Sequence, residues 1–404
     1  MNQRRYDIDA LRVLAFAVLI LYHIGMYYVA NWGWHIKSAT TYEWLQDVMI
    51  LTNPWRMSLL FFISGVALAN ALANALNSHK YSVVKLIALK SRRLFIPLLF
   101  GMFVIVSPQV YFEALSQNLI EPGFWQFWLA YINPATTLLR EHHSAIGLLT
   151  WNHLWFLPYL WVYSIIALLF KQPLILFANT RRLKQVPLAV MVLFCVAALI
   201  AIWWALSASY PKTHDLINDW YNHGKYFFVF LTGFVFAIQH NWWQSVIKHR
   251  VIMLAMALCC YAFIIADRHG VWATLASLYQ TNLSVKLLYA MIHGANHWLW
   301  MFTVVGFAGY YLNRKNTLIN YANRAVLPYY ILHQTLIIVF AWWLKGLVIH
   351  PTIESLILLL LTVAGCYLGY ELIKRSVVLS MLFGVTKKVP KSAIEQPPHL
   401  ASPN

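Results

Sequence analysis

Apolar positions in this chain gather into long blocks instead of alternating with polar ones, and ten of the blocks approach the length at which a helix crosses a bilayer. They predict helices near residues 10–29, 57–76, 94–112, 154–170, 187–208, 226–239, 251–266, 286–312, 325–345 and 353–373. Basic residues fill alternate gaps. Arg4 and Arg5 precede the first block, and Lys80, Lys85, Lys90, Arg92 and Arg93 lie around the next basic gap. Lys171, Arg181, Arg182 and Lys184, then Lys248 and Arg250, then Arg314, Lys315 and Arg324, and finally Lys374 and Arg375 continue the series. The opposite gaps carry most of the acids, among them Glu43, Asp47, Glu113, Asp215, Asp219 and Asp267. Because basic loops are retained on the cytoplasmic side, the pattern predicts an all-α, polytopic membrane bundle of about ten transmembrane helices with both termini cytoplasmic.

Composition agrees with that reading. The 404 residues are 61% hydrophobic and 11% charged, with mean hydropathy +0.60, far from an ordinary soluble domain. A net charge of +17 suggests nucleic acid, but a binder of that kind needs its basic residues on one water-facing domain, and here they are spread among short loops. Cys195, Cys259, Cys260 and Cys366 all fall in apolar blocks, which argues against a disulfide framework. The first block resembles a signal peptide, yet cleavage would discard Arg12 and His23, so an uncleaved helix fits better. The expected membrane unit is 1–376. Residues 377–404, rich in proline towards the end, predict a disordered cytoplasmic tail. No internal repeat is evident, which weakens an inverted-repeat transporter reading.

Arg12 and His23 are the informative residues of the first block. On a helix they are about 16 Å apart and within about 20° of one face. Ionisable groups at membrane depth are costly and point to a cavity or partner; Asp9, one turn earlier, can pair with Arg12. His293 and His297 share a face of the eighth block at a depth near that of His23. A metal is not expected, since there is no H-E-x-x-H and no third ligand at suitable spacing. Arg92 and Arg93 can join Arg12 in a cytoplasmic mouth, where guanidinium forks grip phosphate. Arg56 stands at the outer end of the second block, where topology disfavours positive charge. The loop tryptophans Trp32, Trp34, Trp44, Trp125, Trp128 and Trp220 suit an interfacial aromatic belt or a sugar-stacking mouth.

The stretch Arg5-Tyr-Asp7-Ile-Asp9-Ala-Leu-Arg12, followed after ten residues by His23, resembles the R-x10-H signature of the membrane-bound acyltransferase family 3. Phe61-Phe62-Ile63-Ser64-Gly65, Arg92-Arg93-Leu94 through Pro97, His153-Leu154-Trp155-Phe156-Leu157 and Tyr329-Tyr330-Ile331-Leu332-His333-Gln334 follow in the same order. Arg56-Met57 ahead of the Phe-Phe stretch most resembles a glucan-succinylating branch. The resemblance implies O-acyl transfer, of succinyl or acetyl, from cytoplasmic acyl-CoA to a hydroxyl of an extracytoplasmic glycan. It implies His23 as general base or acyl relay. Arg56, His293 and His297 would polarise the reacting carbonyl, and acyl-CoA would lie on Arg12, Arg92, Arg93, Tyr330 and His333. The expected partners are acyl-CoA, the glycan and the bilayer, and the expected location is a bacterial inner membrane. The alternative is a transporter or flippase of a glycan or lipid-linked intermediate, using the buried His and Arg as a proton relay.

Overall fold

The computed structural model describes residues 5–78, 82–347 and 349–385. The apolar blocks fall on helices, α1 (Tyr6–Tyr28), α2 (Arg56–Ser78), α3 (Val83–Phe100), α4 (Phe156–Leu169), α5 (Leu188–Leu206), α6 (Trp220–Ile238), α7 (Arg250–Arg268), α8 (Leu283–Tyr311), α9 (Thr317–Lys345) and α10 (Pro351–Ile373), except that the third block, 94–112, straddles the end of α3 and the helical turns after it. Among the described residues there is no β-strand beyond two isolated bridges, and eight stretches are long and apolar enough to cross a membrane. The molecule is an all-α, polytopic membrane bundle. The blocks that fall outside those eight stretches, α6 and α8, carry His223, Lys225, His293 and His297.

Helix ends follow capping chemistry rather than hydropathy. Asn282 and Asn316 each accept two backbone N–H groups at the starts of α8 and α9, so α9 begins eight residues before its apolar block. Helix α3 likewise starts at Ser82, whose side chain accepts from the Lys85 amide. Pro97 interrupts its hydrogen-bond ladder, and the chain passes through a π-helical turn, Gly101–Ile105, into a further helix, Ser107–Ser116. At the far end of α1 no basic side chain of the helix itself meets its last carbonyls. Lys37 does so from the following loop, donating to the Met26, Val29 and Trp32 carbonyls.

The bundle centre is the α2–α6 contact. A Cβ on Gly65 would stand 2.0 Å from the Phe230 carbonyl oxygen, and one on Gly233 would stand 2.0 Å from that of Phe62. The two glycines thus let the backbones meet, as small residues do between membrane helices. Around them Phe61 packs on Tyr226, Tyr163 and Phe156, while Phe62 packs on Phe236 and Trp243. This frame holds the mouths of α2 and α6 together. Helix α1 lies against α2, α8 and α9.

Beyond α10 the chain turns into a short helix, Val377–Leu382, where Ser380 Oγ donates to the Ile373 carbonyl and Phe383 packs edge-on against Phe100. The first residues of the stretch expected as tail are thus packed against the bundle. The rest of the expected tail, 386–404, lies outside the described residues. All four cysteines are free thiols, Cys195 and Cys366 buried.

Candidate active site

A cavity of about 1050 Å³ opens at the end of the bundle opposite the N-terminus of α1. His23 and Arg56, from the facing ends of α1 and α2, and His293 and His297 from α8 all line it, with Tyr330 of α9. Four residues singled out as catalytic from sequence thus meet around one space. Among the described residues no three His, Cys, Asp or Glu side chains are grouped to hold a metal ion.

His23 is held from behind. His333 Nδ1 lies 2.8 Å from the Tyr330 carbonyl and 3.2 Å from that of Tyr329. Carbonyls only accept, so in the neutral ring this nitrogen carries the hydrogen and His333 Nε2 keeps a lone pair. His23 Nδ1, 3.0 Å from that lone pair, is then the donor. It follows that the unprotonated nitrogen of His23 is Nε2, on the edge of the ring away from His333. Trp34 from the following loop stacks on the His23 ring at 6.5 Å between centroids and 17° between planes. His333, expected beside the donor, contacts His23, while Tyr330 O–H donates to the His153 carbonyl.

A polar chain behind this pair was not legible from spacing. Buried Gln109 donates from Nε2 to Thr335 Oγ1 at 2.7 Å and to His153 Nδ1 at 3.2 Å. Its Oε1 accepts from Gln334 and Asn152. His153 Nε2 in turn donates to the Ile331 carbonyl. Gln334 donates also to His35 Nε2, whose Nδ1–H reaches Glu113 at 2.5 Å. Every member finds a partner, which is what makes such a network tolerable in an apolar interior. His153 and Gln334 sit in motifs noticed in the sequence; Gln109, His35 and Glu113 carry no local signal, since tertiary packing alone brings them here.

Arg56 lies with its guanidinium carbon 3.2 Å from the Tyr22 ring centroid, and its Nη1 donates to Asn53 Oδ1 at 2.7 Å. The cation is thereby oriented without a carboxylate. The outer wall is the loop 207–219, where His214 and Leu216 adopt positive φ. Asp219 pins it: the buried carboxylate accepts from Tyr159 O–H at 2.6 Å, from Asn222 and from the Thr213 and His214 amides. Burial holds His214 below the ordinary histidine range, opposed by Asp219 and reinforced by Lys225 and Lys212. None of the six loop tryptophans lines the cavity; Trp155 and Trp203 do. Trp44, Trp125 and Trp220 are exposed, as belt residues are.

The other end of α1 holds a second cluster. Arg12 Nη1 donates to Asn323 at 2.8 Å and stands 3.6 Å from Asp9, which itself accepts from Asn323. Arg93 and Lys90, one turn apart on α3, lie within electrostatic reach of Arg12. Lys90, read from sequence as a topology signal, belongs to this group, whereas Arg92 is rotated about 100° round the helix from Arg93. These side chains are not part of the cavity lining.

Comparison with known proteins adds to the geometry. The chain is similar to Glucans biosynthesis protein C of Escherichia coli O139:H28 and of Escherichia coli K12, each 24% identical over 391 residues and 94% of either chain. No solved structure matches it. The profile of the acyltransferase domain matches residues 5–371, which spans the cavity, the His23–His333 pair and the Arg12 cluster alike. The chain is a member of acyltransferase family 3, a multi-pass membrane acyltransferase.

Proposed function

We propose that the protein transfers an acyl group from acyl-CoA, delivered at the basic end of the bundle, to a hydroxyl of an extracytoplasmic glycan in the cavity. The observation that carries this reading is the tautomer of His23, whose Nε2 lone pair belongs to a ring that lines the cavity. A sugar hydroxyl is a poor nucleophile and needs a base within hydrogen-bond reach. His23 Nε2 takes the hydroxyl proton as the oxygen attacks the thioester carbonyl. The tetrahedral intermediate then expels the CoA thiolate, which receives the proton from the imidazolium. The oxyanion formed on the way needs preorganised donors; Arg56, His293 and His297 share the cavity with His23 and are assigned that role.

Family membership, the relatives' printed name and the aromatic walls of the cavity support a glycan acceptor. The cluster of Arg12, Lys90 and Arg93 supports a phosphate-bearing donor, since guanidinium and ammonium groups bind phosphate strongly. The positive-inside pattern supports a cytoplasmic side for that cluster, where acyl-CoA is made, and an extracytoplasmic side for the cavity.

The test supplies purified protein with labelled acetyl-CoA or succinyl-CoA and linear glucan. Wild type should label the glucan, and His23→Ala should lose on the order of 10²–10⁴-fold in rate while keeping its thermal unfolding temperature. A wild type that neither binds nor consumes either donor would overturn the reading in favour of transport.

A further inference from the structure

The outer part of the cavity is more cationic than acyl transfer to a neutral sugar requires. Arg56, Lys212 and Lys225 all line it, and of the described lining residues none is acidic. Lys225 lies within electrostatic reach of both Arg56 and Lys212. Among the described residues no carboxylate stands within ion-pair distance of either lysine. The nearby acids are committed elsewhere: Asp219 to Tyr159, Asn222 and loop amides, Asp215 to the Ile217 and Asn218 amides, Asp267 to Tyr289 O–H at 2.5 Å. Aromatic faces flank the ammonium groups, Tyr226 at 5.0 Å from Lys225 Nζ and Tyr221 at 5.4 Å from Lys212 Nζ.

Like charges brought together at a partly desolvated wall repel, and cations at the outer ends of membrane helices run against the topology signal. An anion bound among them offsets both costs. Lysine and arginine converging on one space are also the donors that carboxylates and phosphates take.

We propose that Lys225 and Lys212, beside Arg56, form an anion subsite, which receives a carboxylate or phosphate carried by a substrate on its acyl chain or on its glycan. The assignment to a substrate rests on the acyltransferase reading above; the anion site itself does not.

The experiment therefore has a binding arm that needs no turnover. Full-length protein in nanodiscs is titrated calorimetrically with succinate and with glycerol phosphate, against succinamide and glycerol as neutral counterparts. Both anions should bind, and Lys225→Met should weaken them at least tenfold while Lys225→Arg, which keeps the charge, restores binding; thermal unfolding checks that both variants fold. Anions binding no better than their neutral counterparts, or Lys225→Met binding like wild type, would overturn the site. The transfer arm compares succinyl-CoA with butyryl-CoA, and phosphoglycerol-bearing glucan with plain glucan. Loss of the donor preference in Lys225→Met places the anion on the acyl chain, and loss of the acceptor preference places it on the glycan. If neither preference moves in an enzyme that turns over, the substrate assignment fails although the anion site stands.

Discussion

At the scale of single residues the site depends on which nitrogen of His23 is free, and that is decided one contact away. His333 is fixed by two backbone carbonyls, and it offers His23 an acceptor without making any contact that the reaction uses. On the proposed mechanism it is a positioning residue. His333→Ala should lower kcat with little change in KM, because the His23 ring loses its preferred tautomer while the cavity keeps its walls. His333→Gln, whose amide oxygen can accept from His23 Nδ1, should recover part of the rate. A His333→Ala variant that alters KM for the acceptor more than kcat would assign the residue to binding. Across the same series the rate should fall on the acid side as His23 becomes protonated, since an imidazolium has no lone pair to receive the hydroxyl proton. A rate that does not fall at any acid pH at which the protein stays folded would remove His23 as the base.

At the scale of elements, the α2–α6 contact positions two walls of the cavity, because Arg56 begins α2 and Lys225 lies in the second turn of α6. The Phe-Phe-Ile-Ser-Gly motif is thereby explained as packing: its glycine meets the Phe230 carbonyl, a backbone atom with little freedom to move. Gly65→Ala should cost about 1–3 kcal/mol or more, as overpacking does, read as a lower unfolding temperature in detergent, whereas Gly33→Ala, with open space around it, should leave it unchanged. Equal unfolding temperatures for Gly65→Ala and wild type would show that the helices can part cheaply. The same scale shows what the sequence made legible. The membrane-length helices were largely readable because apolar length is a property of each block alone, whereas the break at Pro97 that splits the third block was not. Their ends were not, since Asn316 and Ser82 start helices in polar sequence that hydropathy does not register. His23, Arg56, His293 and His297 stood out as ionisable groups beside or within apolar blocks. Gln109 did not, because a neutral amide in a helix carries no anomaly until its partners arrive from other helices. Lys225 falls just outside the predicted sixth block, where a single charge carries no anomaly.

At the scale of the whole molecule, α1 links two chemically different ends, and what lies between them sets how a donor can reach His23. Arg12, Lys90 and Arg93 gather at one end, and the cavity opens at the other. Between them Tyr330 forms a wall with Phe16 at 5.5 Å and Phe156 at 6.1 Å between ring centroids. The helical separation of Arg12 and His23, about 16 Å, is comparable with the reach of a pantetheine arm, and the proposed function requires the thioester to pass this wall while the nucleotide stays at the basic end. The arrangement predicts sidedness. In proteoliposomes of uniform orientation, acyl-CoA added at the basic face with glucan at the cavity face should give acylated glucan, and the reverse arrangement should give none. The paired substitution Lys90→Met with Arg93→Met should raise KM for acyl-CoA about tenfold, the loss of one to two charge-assisted contacts at roughly 1 kcal/mol each, while KM for glucan stays put. Because the donor's phosphates are the proposed partners, the defect should be largest at low salt and shrink as ionic strength screens the remaining attraction. Product formed equally from either face would mean that both substrates use the one open cavity, and the Arg12 cluster would then be a structural feature of the bundle and no part of the donor path.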